Sequence, residues 1–159
     1  MRTAMERFAS LEGKSMKGTV SAVCISGKKG TAKRPVGRAL LKRNHGLVGD
    51  AHAGDWHRQV SLLSVEKIHA FNQAGGTVVD GDFGENIVVD GIDLAHLPVG
   101  TRLHVGSAIL EVTQIGKECR NHCQIYQRVG DCIMPREGIF ARVLEDGEVG
   151  AGDVVEVLP

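Results

Sequence analysis

The chain has 159 residues, a formal net charge of zero and a pI near 7.1, with 42% hydrophobic but only 4% aromatic residues. That length suits one domain with an ordinary core, and the charge balance excludes nucleic acid or an anionic membrane surface as the main partner. No apolar run approaches the ~18 residues of a membrane span, and the 21 glycines favour many tight turns over a helical bundle.

Met1 to Lys17 alternates charged and apolar residues and lacks the continuous apolar stretch of a signal peptide. It reads as a flexible extension over residues 1–17, ahead of a single domain over 18–159. Without a leader, the four cysteines point to reduced thiols and a cytoplasmic setting. Thr19 to Ser26 is rich in strand formers and ends at the turn Gly27-Lys28-Lys29-Gly30. Residues 27–58 carry little periodic apolar pattern and read as one long irregular stretch, of the kind that is usually functional. Gln59 to Leu63 reads as a short buried strand. Ser64 follows as an N-cap, Glu66 falls in the first turn, and Val65, Ile68, Ala70 and Phe71 form a helical stripe that Gly75-Gly76 stops.

Asp80 to Gly84 reads as a loop, and Asn86 to Val89 as a strand closed by Asp90-Gly91. Thr101 to Val105 and Ala108 to Ile115 form a hairpin around Gly106-Ser107. Cys119 to Val129 has the pattern of a helix. Ile139 to Leu144, a turn at Asp146-Gly147 and a strand over Val154 to Leu158 finish the chain. Many short strands with few helices predict a mainly β protein, a closed or nearly closed β-barrel with a few peripheral helices.

Three segments carry chemistry. Gly46 to Gln59 gathers glycines, Asp50, Asp55, His52, His57 and Arg58 at a strand entrance, where backbone N–H groups can approach an anion or cofactor closely. The spacing of His52 and His57 matches no helical zinc pair. Gly84-Glu85-Asn86 is either a turn that satisfies its own backbone or a carboxylate and amide facing a pocket, and residue types leave both open. In Lys117-Glu118-Cys119-Arg120-Asn121-His122-Cys123, two cations flank a cysteine. Cations stabilise thiolate over thiol, and the thiolate is the nucleophile and metal ligand, so Cys119 is the candidate reactive group. The cluster with Cys123 and Cys132 lacks the paired knuckles of structural zinc.

In this order, the pieces resemble the MOSC domain family, named for the C-terminal part of molybdenum cofactor sulfurases. The landmarks are Gly49-Asp50-Ala51-His52, His57-Arg58-Gln59-Val60-Ser61-Leu62, Gly84-Glu85-Asn86-Ile87 and Gly91-Ile92-Asp93-Leu94. They continue with Leu97-Pro98-Val99-Gly100-Thr101-Arg102-Leu103, Leu110-Glu111-Val112-Thr113, Lys117-Glu118-Cys119, Gly138-Ile139-Phe140-Ala141-Arg142-Val143 and Gly152-Asp153. The resemblance implies a barrel-like β fold and one family cysteine, here Cys119, that either carries persulfide sulfur or ligates molybdenum of a bound molybdenum cofactor (molybdopterin). On that footing Arg58, Arg142, Lys117, Arg120 and the basic residues of 28–43 are anchors for the cofactor phosphate, arginine being suited to bidentate contact. His52, Asp55, His57, Gly84 and the hydrogen-bonding side chains of Gln59, Ser61, Glu85 and Asn86 complete the candidate cofactor site.

Larger relatives carry a pyridoxal-phosphate desulfurase domain, and this sequence has no phosphate cup and Schiff-base lysine pattern of that kind. No pyridoxal phosphate is expected on this chain, so a sulfur donor such as a cysteine desulfurase would be a separate partner and a molybdenum enzyme or cofactor the acceptor. Two other activities stay open under the resemblance: a non-catalytic carrier or storage module for the cofactor, and a molybdenum-dependent reductase of N-hydroxylated compounds.

Overall fold

The apolar runs pair edge to edge until the first meets the last. The computed structural model describes residues 16–117 and 132–159. In chain order its elements are β1 (Lys17–Ile25), β2 (Arg34–Val36), β3 (Arg38–Lys42), β4 (Gly46–Leu47), β5 (Val60–Ser64), α1 (Val65–Gln73) and β6 (Ile87–Asp90). There follow a 3-10 turn (Leu94–His96), β7 (Arg102–Val105), β8 (Ala108–Ile115), α2 (Met134–Glu137), β9 (Ile139–Glu145), β10 (Gly147–Gly150) and β11 (Val154–Val157). Seven of the strands close a ring in the order β1, β11, β7, β8, β9, β5, β6 and back to β1. The ring is antiparallel except for β5 and β6, whose parallel pairing is bridged by α1. The protein is therefore a mainly β barrel with peripheral helices.

Alternation along the strands builds two cores. Val20, Val23, Leu62, Ile87, Leu110 and Val143 point into the ring. Ala22, Cys24, Leu63, Val88 and Phe140 point outward and are covered by α1, the loop carrying Val78 and Phe83, and α2. β1 serves both cores through a bulge: its register against β6 shifts between Val20 and Ala22, which lets Val20 and Val23 face the same side across three positions. β5 is buried along its whole length because both of its faces are covered. This is why it reads as an unbroken apolar run rather than an alternating one.

Three expectations need correction. Residues 27–58 are not irregular throughout: they hold β2, β3 and β4, and β3 pairs with β4 and β10 in a small second sheet. These strands are two to five residues long and β2 and β3 are mostly exposed, so they depend on pairing, β2 with β1, β4 with β3 and β3 with β10 a hundred residues away, rather than on a local apolar pattern. Gly147, expected in a turn, is the first residue of β10 and pairs with Leu41. Ser64 occupies the N-cap position of α1 but makes no capping bond. Its hydroxyl donates to Ile92 O (2.7 Å) and accepts from Leu94 N (3.1 Å), tying the end of β5 to the 3-10 turn. Gly75 and Gly76 do end α1, their N–H groups reaching Asn72 O and Phe71 O. The helix expected over Cys119 to Val129 lies outside the described residues, as does nearly all of the N-terminal extension; β1 takes up the chain at Lys17. Among the described residues, no helix is long and apolar enough to cross a membrane.

Candidate functional site

Ser61 on β5 and Phe140 on β9 are register partners with side chains on the outer face of the barrel. Between them and the loops that cross this flank lies a cavity of ≈ 70 Å³. Its walls include His52, Arg58, Ser61, Gly84 and Lys117, together with Phe83, Met134 and Phe140. The candidate segments of the sequence meet here on the flank of the ring rather than in its mouth.

Gly116 brings Lys117 to the site. It turns at φ +67°, with Pro135 O only 2.4 Å from where a Cβ would sit, so α2 and the end of β8 approach as only glycine allows. Gly81 does the same on the other wall. At φ +90° its absent Cβ would fall 2.1 Å from Lys33 O, and its own carbonyl accepts the Lys33 N–H at 2.8 Å.

The Arg58 guanidinium lies over the Trp56 ring at 4.7 Å and over the Phe140 ring at 5.6 Å. Lys29 approaches the same indole at 4.9 Å. The rings hold the planar guanidinium by cation–π attraction without using its donors. Arg58 Nε is buried and, among the described residues, has no hydrogen-bond partner. A buried N–H donor left unpaired is a standing invitation to an acceptor.

Behind the wall sits a buried ion pair. Lys33 and Asp50 have fully buried side chains and meet at 2.8 Å. Lys33 Nζ also donates to Ser26 Oγ at 3.3 Å and contacts His52 Nδ1 at 3.0 Å. Asp50 accepts from the backbone N–H of Ser26 and of His52, each at 3.1 Å. Burial alone would raise the Asp50 carboxyl, but the bond and charge of Lys33 and those two N–H groups outweigh it and hold it below its ordinary value. His52 is pushed down to about 4, first by burial and then by the charge of Lys33, with Lys117 and Lys29 adding to it against Asp50. The imidazole is thus neutral at ordinary pH. Its ring stacks parallel to Trp56, and its carbonyl accepts the indole N–H at 2.7 Å.

Several expected site residues serve the fold instead of lining the cavity. Gln59 is fully buried, donating to Asn44 Oδ1 (3.1 Å) and accepting from Val143 N (2.9 Å). Asn86 is fully buried too: its Oδ1 accepts from the N–H and hydroxyl of Ser61, and its Nδ2 donates to Cys24 O at 3.0 Å. The Glu85 carboxylate accepts from Gly81 N and Phe83 N. Burial pushes Glu85 up to about 7 against those bonds, and burial followed by the Glu85 charge pushes the Cys24 thiol up to about 12. His57 is exposed and contacts Gln114 Oε1 at 2.8 Å, Asp55 is exposed, and Arg142 reaches Asn44 rather than the cavity. Cys119 and Arg120 lie outside the described residues. Among the described residues no group of three or more His, Cys, Asp or Glu is placed to hold a metal.

Trp56, Lys33 and Phe140 belong to the site without having been singled out. The signal for Lys33 was its place in the basic stretch 28–43; its partners Asp50 and His52 stand 17 and 19 positions away, a spacing no local motif reveals.

A small mainly β barrel, flanked by a cationic cavity built from loops, defines the class of protein. Residues 49–156, more than half of the chain, match the MOSC domain family, and the chain belongs to it. Comparison with curated proteins gives no match. The crystal structure of the YuaD protein from Bacillus subtilis is similar in fold (TM-score 0.75, 21% identity, 91% of this chain and 97% of that one covered). So is YiiM from Escherichia coli (TM-score 0.64, 20% identity, 91% of this chain and 70% of that one). YiiM from Geobacillus stearothermophilus is a third (TM-score 0.66, 18% identity, 90% and 75%).

Proposed function

We propose that this MOSC domain binds the phosphate end of the molybdenum cofactor in the flank cavity and uses the Cys119 thiolate to carry sulfane sulfur for a metal–sulfur centre. The observation that carries the reading is the Arg58 guanidinium beside the cavity, clamped between two rings with a buried Nε that no acceptor among the described residues satisfies. Its neighbour Lys117 makes the cavity doubly cationic. This donor set fits a phosphate, and a volume of ≈ 70 Å³ suits a phosphate-sized group rather than a whole pterin. Arg58 and Lys117 would supply charge, and the neutral imidazole of His52 a hydrogen bond. When bound, the cofactor would supply a molybdenum atom with open affinity for sulfur.

Cys119 stands two residues after Lys117, and two residues of chain span at most about 7 Å. The reading requires the thiol to reach that cavity. Lys117 and Arg120 would favour its thiolate. In the sulfur step, the thiolate attacks the outer sulfur of a persulfide on a separate donor protein. A new S–S bond forms at Cys119, the donor's S–S bond breaks, and the donor leaves as a thiolate. Sulfur moves with no net oxidation, and the proton of the persulfide passes to solvent.

The test is mass spectrometry of anaerobically purified protein under native and denaturing conditions, wild type beside Cys119→Ser, with elemental analysis for molybdenum and zinc. A sulfur-sized increment present in the wild type and lost in the variant supports sulfur carriage. Molybdenum with a pterin mass in the wild type alone would replace carriage by molybdenum ligation through the same cysteine. Sulfur loading that survives Cys119→Ser, or zinc with neither sulfur nor molybdenum, overturns the reading.

A further inference from the structure

We infer that Lys33 is a positioning residue that locks His52 in the tautomer with its proton on Nε2, so that the cavity meets an oxyanion with a neutral N–H donor beside the cations of Arg58 and Lys117. This rests on the cavity reading above and adds to it which atom of His52 faces the ligand and why.

An ammonium has three donors and no acceptor. Lys33 Nζ uses its donors on Asp50 Oδ1 (2.8 Å), His52 Nδ1 (3.0 Å) and Ser26 Oγ (3.3 Å). At the shared contact His52 Nδ1 must therefore accept, and the ring proton sits on Nε2. The other arrangement would have Nδ1–H donate to Asp50 Oδ2, which lies 3.9 Å away, beyond a hydrogen bond. Flipping the ring by half a turn would keep its stack on Trp56 but would set Cδ2, which cannot accept, against the Lys33 ammonium. The backbone on either side is pinned as well, by Asp50 at His52 N and by the indole at His52 O. Among the described residues no hydrogen bond reaches Nε2, and the imidazole lines the cavity.

Neutrality follows from the same contacts. The charged groups around the ring are Lys33, Asp50, Lys117 and Lys29. Among the described residues three of these are cations, and the carboxylate of Asp50 is committed to Lys33. Protonating Nδ1 would put two donors face to face at 3.0 Å. The device thus removes histidine protonation from ligand binding, leaving Glu85 behind the wall, raised to about 7, to titrate across the range of a free imidazole.

Two readouts separate this inference from the cavity reading. Long-range proton–nitrogen NMR correlations report the His52 tautomer and titration without any ligand. The wild type is expected to show Nε2–H alone and to stay neutral down to pH 5. The double variant Lys33→Met/Asp50→Asn removes the pair without changing net charge. It is expected to show mixed tautomers and to titrate nearer the ordinary histidine value of about 6.5, with its amide spectrum reporting the retained fold. Sulfate, which does not titrate in this range, is the probe for calorimetry. Wild-type affinity is expected to change between pH 5.5 and 8 only through Glu85 behind the wall, which both proteins share, whereas the ratio of variant to wild-type affinity is expected to rise at least about threefold toward pH 5.5 as the freed imidazole becomes charged. An Nδ1–H tautomer, or wild-type titration near pH 6.5, overturns the role of Lys33. A wild type with the Nε2–H tautomer that fails to bind sulfate retains Lys33 as the lock on His52 and overturns the anion cavity instead.

Discussion

Glu85→Gln tests the balance of forces behind the cavity wall. The Glu85 side chain is fully buried and held by the N–H groups of Gly81 and Phe83. Burial raises its carboxyl from 4.5 to about 7 despite them. Between those values the folded protein keeps a proton that the unfolded chain has released, so stability falls as pH rises through this window. At about 1.36 kcal/mol per pH unit, the loss is roughly 3 kcal/mol by pH 7. His52 works in the opposite sense: its value falls from 6.5 to about 4, so the unfolded chain binds the extra proton and stability rises with pH through that window. The two slopes oppose each other in the wild type, and only a comparison of proteins separates them. In the variant the amide keeps one acceptor and sets an NH2 against the other N–H, a pH-independent penalty of about 1–3 kcal/mol. Urea unfolding at intervals from pH 4.5 to 7.5 is the assay. The variant is expected to gain on the wild type by roughly 3 kcal/mol as pH rises across the window. A difference that stays constant with pH would refute a raised Glu85. Asp50 does not interfere, because its lowered value confines its contribution to acidification below 3.8.

Two further substitutions follow from the same flank. Asn86→Ala orphans the buried N–H of Ser61 and the carbonyl of Cys24 together, and is expected to destabilise by roughly 3–5 kcal/mol in urea melts; a loss under about 1 kcal/mol would mean the two groups find other partners. Arg58→Lys loses the planar stack on Trp56 and Phe140 and is expected to weaken sulfate binding about tenfold in calorimetry, with the barrel intact; unchanged affinity would remove the clamped guanidinium from the site.

The ring was legible in the sequence where its signal is local. The hairpin of β7 and β8 and the fully covered β5 read directly, because each keeps its own apolar pattern. β2 to β4 did not, since Arg34, Leu40 and Lys42 face solvent and the strands exist through pairing, β2 with β1, β4 with β3 and β3 with the distant β10. The site divided along a similar line. His52, Arg58, Ser61, Gly84 and Lys117, drawn from separate motifs, line one cavity. Gln59, Glu85 and Asn86 are polar residues beside the cavity that the barrel consumes to satisfy its own backbone. A polar side chain at a strand end looks the same in sequence whether it faces a ligand or a buried carbonyl, and only the partners, 25 and 62 positions away for Asn86, tell them apart.

The pairing of β1 with β11 has a consequence for how the molecule comes into being. Lys17 to Thr19 meet Val154 to Glu156, so the ring shuts only when segments some 137 residues apart find each other, as for Gly18 and Val155. Until then β1 and β7 present two open edges able to recruit strands from other chains. Such a contact closes late and slowly, because the entropy of the intervening loop is spent before the contact forms. On a ribosome the barrel stays an open, adhesive sheet until Val154 to Val157 emerge, and β11 acts as the clasp of the ring.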